Sequence, residues 1–277
     1  MQIAVVPVCR DDAAAIICTM ETRTLQLVLQ YDGSHFAGWQ RQPDERTVQG
    51  VLEDAMQRLC GTRVAVLGAG RTDAGVHALG QAAGVHVPAK WTAPQLQRAL
   101  NAVLPRDVRV SRAHEMQPQF HARFDAVSRS YRYLVGTDEE ADNPFRSGRE
   151  LAWHRPADRS VLDAAAGMIV GAHCFRGFAV KGTAPESDDH RCIVRSAEWV
   201  ERAGGLAFLV TANRFLHHMV RFLVGTMLDV ASGKRDFAVM EKLLDAGDNL
   251  EVSPPAPPYG LYLERVEYPS ELYMVTA

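Results

Sequence analysis

The stretch Thr24-Leu25-Gln26-Leu27-Val28-Leu29-Gln30-Tyr31 alternates apolar and polar residues almost without fault. A period of two turns one side of the chain to a core and the other outward, so it predicts a half-buried β-strand. Asp32-Gly33 ends it with turn chemistry. Similar short runs return at 63–67, 81–87, 107–113, 128–135, 193–201, 206–211 and 261–266. Helical patterns are fewer. Thr47 is placed to cap a helix running to about Cys60, with Val48, Val51, Leu52, Ala55, Met56 and Leu59 as its apolar stripe and Gly61 as its stop. A second follows Thr92 over 93–103. A third spans 158–170 and is closed by Gly171. The longest is expected over 214–231, ended by Ser232-Gly233, and a short one follows Asp236. Pro254-Pro255-Ala256-Pro257-Pro258 is a rigid extended lead into the last strand. Many strands mixed with few helices predict an α+β fold with largely antiparallel sheets.

The 277 residues suffice for one large domain or two modest ones. No apolar run approaches the ~20 residues of a membrane span. Asp11 and Asp12 interrupt the first twenty residues and no basic residue leads them, so they do not read as a signal peptide. They are expected to be a poorly structured extension, with Met20 a candidate natural start. The five cysteines, Cys9, Cys18, Cys60, Cys174 and Cys192, are odd in number and widely spaced. That argues against a disulfide framework and a cysteine zinc site, and suits a reducing cytoplasm. The net charge of -3 does not announce a nucleic-acid binder. Of the 30 basic residues only four are lysine; arginine suits phosphate and base-edge recognition, but genome composition accounts for such a bias equally well.

Gly68-Ala69-Gly70-Arg71-Thr72-Asp73-Ala74-Gly75 follows an expected strand, where nucleotide-binding loops occur. A dinucleotide fingerprint needs glycine where Asp73 stands, and a Walker loop needs Lys-Ser/Thr where Val76-His77 stand. What remains is a glycine-rich loop presenting an arginine, a carboxylate and a histidine. On spacing alone it reads as a tight turn with Asp73 solvated or capping.

The wider pattern changes that reading. Asp32-Gly33 with Phe36, Gly38, Trp39 and Gln40, then Thr47-Val48-Gln49 and Leu52-Glu53, then Gly70-Arg71-Thr72-Asp73-Ala74-Gly75-Val76-His77, resembles the tRNA pseudouridine synthase A family. So do Arg129-Ser130-Tyr131-Arg132-Tyr133, Asn143-Pro144-Phe145, Phe215-Leu216-His217-His218-Met219-Val220-Arg221 and Pro258-Tyr259-Gly260-Leu261. The resemblance covers about 24–268. It implies two α/β subdomains whose sheets join around a central cleft: an extension at 1–22, a catalytic subdomain at 23–122 carrying Asp73, a second at 123–270 carrying Tyr131 and Arg221, and a tail at 271–277. It implies isomerisation of uridine to pseudouridine at positions 38 to 40 of the tRNA anticodon stem-loop, by a homodimer, without metal or organic cofactor. Position by position, it makes Asp73 the catalytic aspartate, Arg71 the arginine that helps displace the target base, Tyr131 the ring that stacks on the uracil, and Arg221 the basic partner of the carboxylate. Two stretches depart from the family: the extension, and 180–191, which is longer and more acidic than expected.

These residue types suit the reaction. A carboxylate can attack the nucleoside as a nucleophile or abstract a sugar proton, and the sequence admits both routes. The target must leave its stack, and an aromatic ring can cover it, worth ~1–3 kcal/mol per base. Without the family pattern Tyr131 would read as a core aromatic. Arg221 lies among Phe215, Met219, Val220, Phe222, Leu223, Val224 and Met227, where an arginine either snorkels to solvent or is paired. Asp73 supplies a partner, so an ion pair across the two halves is expected. His77, His217 and His218 have no metal-site spacing and read as structural. The competing functions are an RNA-binding module or chaperone of the same fold without turnover, and a synthase for another RNA. Asp73, Tyr131 and Arg221 together favour the enzyme.

Overall fold

The structure, a computed structural model, describes residues 21–183, 187–245 and 248–274. The expected extension at 1–20, the middle of the acidic stretch at 184–186 and the tail beyond 274 lie outside the described residues. In chain order the strands are β1 (Thr22–Tyr31), β2 (Leu67–Gly68), β3 (His77–Pro88), β4 (Val108–Glu115), β5 (Ser128–Gly136), β6 (Leu151–Ala152), β7 (Gly171–Cys174), β8 (Arg191–Arg202), β9 (Gly205–Ala212) and β10 (Leu261–Glu267). The helices are α1 (Val48–Cys60), α2 (Ala93–Val103), α3 (Arg159–Met168), α4 (Met219–Ala231) and α5 (Ala238–Asp245).

One sheet holds all these strands, with the main order β4-β1-β3-β10-β5-β9-β8-β7. Most neighbours are antiparallel, as the pattern predicts. Two short contacts are parallel: β10 with β3, and β6 with β5. The β3–β10 contact matters most, because β10 also pairs with β5. The C-terminal strand therefore joins the first half of the sheet to the second. It feeds both cores. Leu263 packs with Leu25, Leu27, Leu29, Leu52 and Leu96 between β1, β3, α1 and α2. Leu261 packs with Tyr133, Phe208, Leu223 and Met227 beneath α3 and α4. Tyr131 touches both cores.

Local signals place several elements to the residue. Thr47 accepts a hydrogen bond from the Gly50 amide, and Gly61 closes α1 with φ 75°. Thr92 and Gln95 cap α2 reciprocally. Elsewhere tertiary contacts win. The expected strand at 63–67 shrinks to β2. The Val66 amide donates to Glu53 and its carbonyl accepts from Gln49, so side chains of α1 take the bonds a neighbouring strand would have taken. Gly171, expected to stop α3, instead opens β7 with φ 113°. The helix expected from 214 begins only at Met219, because His218 adopts φ 61°, outside helical geometry. It is therefore no longer than α1, each having 13 residues.

Candidate active site

The loop between β2 and β3 carries Arg71 and Asp73 and is anchored along its length. The Ala69 amide donates to Ala82. Gln81, wholly buried on β3, donates to the Gly70 carbonyl at 3.0 Å. The Thr72 hydroxyl meets that of Tyr31 at 2.8 Å, and the Thr72 carbonyl accepts from the Trp39 amide at 3.0 Å. Burial pushes the Tyr31 hydroxyl up to about 12, so it stays protonated and able to donate to Thr72. The segment 33–39 packs too closely for side chains at two points. A Cβ on Gly33 would sit 2.1 Å from the Val76 carbonyl oxygen, and one on Gly38, whose φ is 95°, 2.8 Å from that of Thr72. The glycines quoted in the sequence pattern are thus what lets this segment brace the loop.

Only Arg71, Asp73 and Ala74 then point away from the anchors toward solvent or the second half. Arg71 is exposed, with no side-chain hydrogen bond or ion pair among the described residues. The Asp73 side chain keeps 21% exposure, and its Oδ2 lies 3.1 Å from Nη1 of Arg221. The expected cross-chain pair is formed. Arg221 is held from its other side as well. Its Nε donates to the Ala256 carbonyl at 2.7 Å, while the Ala256 amide donates to its backbone carbonyl at 2.9 Å. The proline-rich lead thus clamps Arg221 at both ends. α4 lies so close to this lead that a Cβ on Gly225 would meet the Pro254 carbonyl oxygen at 2.3 Å.

Tyr131 reaches the same place from β5. It pairs with Leu263 of β10, the residue that on its other side pairs with Ala78 of β3. Its ring stands edge-on to Phe215, with centroids 5.1 Å apart. Burial raises its phenol far above the usual range, with Tyr31 and Asp73 nearby adding to the effect, so the hydroxyl is protonated at any working pH.

Sequence reasoning undervalued the two adjacent histidines. Because the chain is irregular through 214–218, it lies over the site. His217 Nε2 comes within 3.5 Å of Asp73 Oδ1, and His218 Nε2 within 3.3 Å of Oδ2. Burial holds the His218 imidazole below its usual range, only partly offset by the Asp73 carboxylate, so it is neutral at pH 7. No periodicity marks them, because the left-handed His218 takes both rings off the helix that carries Arg221. Together with Asp73 they form the group among the described residues whose ligand atoms could meet around one ion, all within 4.8 Å of one another. His77 does fit the structural reading. It is buried, its Nδ1 accepts from the Gly33 amide at 3.0 Å, its Nε2 faces the Gly148 carbonyl, and its ring stacks on Tyr262. Burial depresses its basicity despite Asp32 nearby, which matches a neutral ring with its proton on Nε2.

Arg129 was noticed only as part of a motif. Its guanidinium donates to four backbone carbonyls: Ala126 and Asn213 from Nη1, Ala69 and Arg123 from Nη2, all at 2.8–3.0 Å. It ties the start of the Asp73 loop to the start of the 214–218 segment. The site thus combines a carboxylate able to act as nucleophile or base, a fixed cation beside it, an aromatic ring near it, and a neutral imidazole able to take up or deliver a proton.

Comparison with known proteins gives a consistent result. A family described as tRNA pseudouridine synthase matches residues 27–125 and 165–269. The chain is 41% identical to tRNA pseudouridine synthase A of Geobacillus kaustophilus over 90% of its length and 96% of that protein. It is 40% identical to tRNA pseudouridine synthase A of Methylacidiphilum infernorum over 89% of its length and 96% of that protein. With the protein so named from Chlorobium luteolum it shares 38% identity, over 90% of its length and 97% of the relative.

Proposed function

The chain belongs to the tRNA pseudouridine synthase family, and on that premise we propose that it isomerises uridine to pseudouridine at positions 38 to 40 of the tRNA anticodon stem-loop. The observation that carries this reading is Asp73, held in an anchored loop and paired with Arg221 at 3.1 Å on the seam between the two halves, with Tyr131 beside it. A binding module has no need of a carboxylate braced in this way at a phosphate-rich surface.

In the reaction the N1–C1′ bond breaks, the uracil turns, and a C5–C1′ bond forms; C5 loses a proton and N1 gains one, so nothing is oxidised. Asp73 attacks the nucleoside or abstracts a sugar proton to let the first bond break. Arg221 orients the carboxylate with a fixed charge. Tyr131 covers the freed base. Arg71, exposed at the mouth of the loop, is free to enter the space that the extruded nucleotide leaves. No helix among the described residues is long and apolar enough to cross a membrane. The family resemblance supports a homodimer as the working unit, and a tRNA substrate supports action in the cytoplasm.

The direct test is release of tritium from [5-³H]uridine in unmodified tRNA transcript, with the product mapped to position. Turnover confined to 38 to 40 is the expected result; turnover only on another RNA, or none, overturns the proposal. The same assay decides what the Asp73, His217 and His218 cluster holds. With Arg221 occupying one face of Asp73, protein stripped by a strong chelator is expected to keep its full rate. Loss of activity restored by one specific metal would assign the cluster to that ion.

Tyr131→Ala is expected to slow single-turnover isomerisation by about 5- to 150-fold, the equivalent of ~1–3 kcal/mol of lost stacking. Tyr131→Phe keeps the ring and should retain most of the rate at every pH where the enzyme is stable. An alanine variant as fast as the parent would make Tyr131 a packing residue only.

A further inference from the structure

Phe124 is 75% exposed, although it sits in the middle of an ordered turn. The turn is built to hold it there. His121 Nδ1 accepts the amides of both Arg123 and Phe124, at 3.1 and 3.3 Å, and the Asp125 carboxylate accepts the His121 amide at 2.7 Å. The His121 ring stacks beneath Phe124 with centroids 4.3 Å apart, and the Arg123 guanidinium lies 5.7 Å from its ring. One face of the phenyl group is backed by an imidazole, and one guanidinium lies beside the ring. The turn is also tied to the site, because Arg129 Nη2 donates to the carbonyls of both Arg123 and Ala69. Ala69 begins the stretch that carries Arg71 and Asp73.

We propose that Phe124 is a stacking platform for an unpaired base of the tRNA substrate next to the target uridine, with Arg123 contacting the adjoining phosphate. This rests on the tRNA reading above. A ring fixed at no cost in side-chain freedom on binding suits a nucleobase, since every base offers a π-face and stacking tolerates any sequence. A cation beside the ring suits a polyanion. A single ring among Arg123, His121 and Asp125 is a poor seed for contact between protein copies, which need a broad, well-packed apolar centre.

Three variants test it: Phe124→Ala, Phe124→Leu and Phe124→Trp, each checked for an unchanged melting temperature. The readouts are Kd for unmodified tRNA transcript by fluorescence anisotropy, and KM and kcat measured separately. Phe124→Ala and Phe124→Leu are expected to raise Kd and KM by about 5- to 150-fold with a smaller change in kcat, and Phe124→Trp to match the parent. A leucine variant that binds as well as the parent would reduce the ring to an apolar contact. An alanine variant with unchanged Kd and KM removes the platform. Equally, if the alanine variant loses affinity only in step with a fall in mass by sedimentation, the ring is a contact between copies. Each of these overturns the inference while the parent enzyme still isomerises tRNA. A parent that does not do so overturns the underlying reading as well.

Discussion

Asp73→Asn is expected to reduce turnover on the order of 10⁴-fold or more, the scale of loss when a residue that takes part in bond making is removed, while leaving Kd for tRNA within a few-fold of the parent. The substitution keeps the size and planarity of the side chain. An amide oxygen can still accept from Arg221 Nη1 at the 3.1 Å position, and the anchors of the loop at Gly70, Thr72 and Gly75 do not involve the Asp73 side chain. What disappears is the nucleophilic and basic oxygen. Binding and chemistry should therefore separate cleanly, which a general loss of folding would not allow. Single-turnover tritium release alongside anisotropy titration measures both. An Asp73→Asn enzyme with near-parent turnover would falsify the catalytic role.

The second large effect is expected at Arg221. Its side chain is 12% exposed, and it makes two charge-assisted bonds, to the Asp73 carboxylate and the Ala256 carbonyl. Arg221→Met keeps the length and apolar stem but removes both. It leaves a partly buried carboxylate without its cation, a loss worth about 1–3 kcal/mol, and more where burial is complete. Asp73 retains some exposure and has His217 and His218 at 3.5 and 3.3 Å, which keeps the value near the lower range. For a chain of this size each kcal/mol lowers Tm by about 2–4 °C. The catalytic loss should be larger than the stability loss, because the loose carboxylate no longer points at the reacting sugar. Arg221→Lys should recover part of both, since an ammonium supplies the charge but cannot serve Asp73 and Ala256 together in a fixed fork. A cycle with Asp73→Asn isolates the coupling between the two. If Arg221→Met is fully additive with Asp73→Asn in turnover and in Tm, the pair has no functional linkage, and Arg221 serves only to fasten the proline-rich lead.

What the sequence determined by itself was much of what is settled within a few residues of chain, together with the chemical character of the site. The alternation through Leu25, Leu27 and Leu29 sends one face of β1 into a core, but the expected half-burial fails, because Thr24 and Gln26 on the other face are covered too. Thr47 and Gly61 set both ends of α1 by capping. Asp73 in a glycine-rich loop reads by itself as solvated or capping, and Arg221 on an apolar helix as snorkelling or paired; the family resemblance is what selected the pair before any geometry. Less local features were not legible. Val64 and Val66 have the composition of a strand, but their segment hydrogen-bonds to Gln49 and Glu53 instead. Nothing around His218 marks a left-handed residue, since it is neither glycine nor asparagine. Yet its φ of 61° halts the helix and lays His217 and His218 over Asp73. The three-strand seam, with His77-Ala78 beside Tyr262-Leu263 and Tyr131 beside Leu263, joins residues far apart in the chain. The four carbonyls gathered by Arg129 do the same. Propensity and periodicity act over one or two turns of helix or a few strand residues, whereas these arrangements arise only when both cores pack and leave each buried backbone group to find its partner. The tertiary structure therefore decided which side chains stand around the carboxylate that the sequence had already singled out.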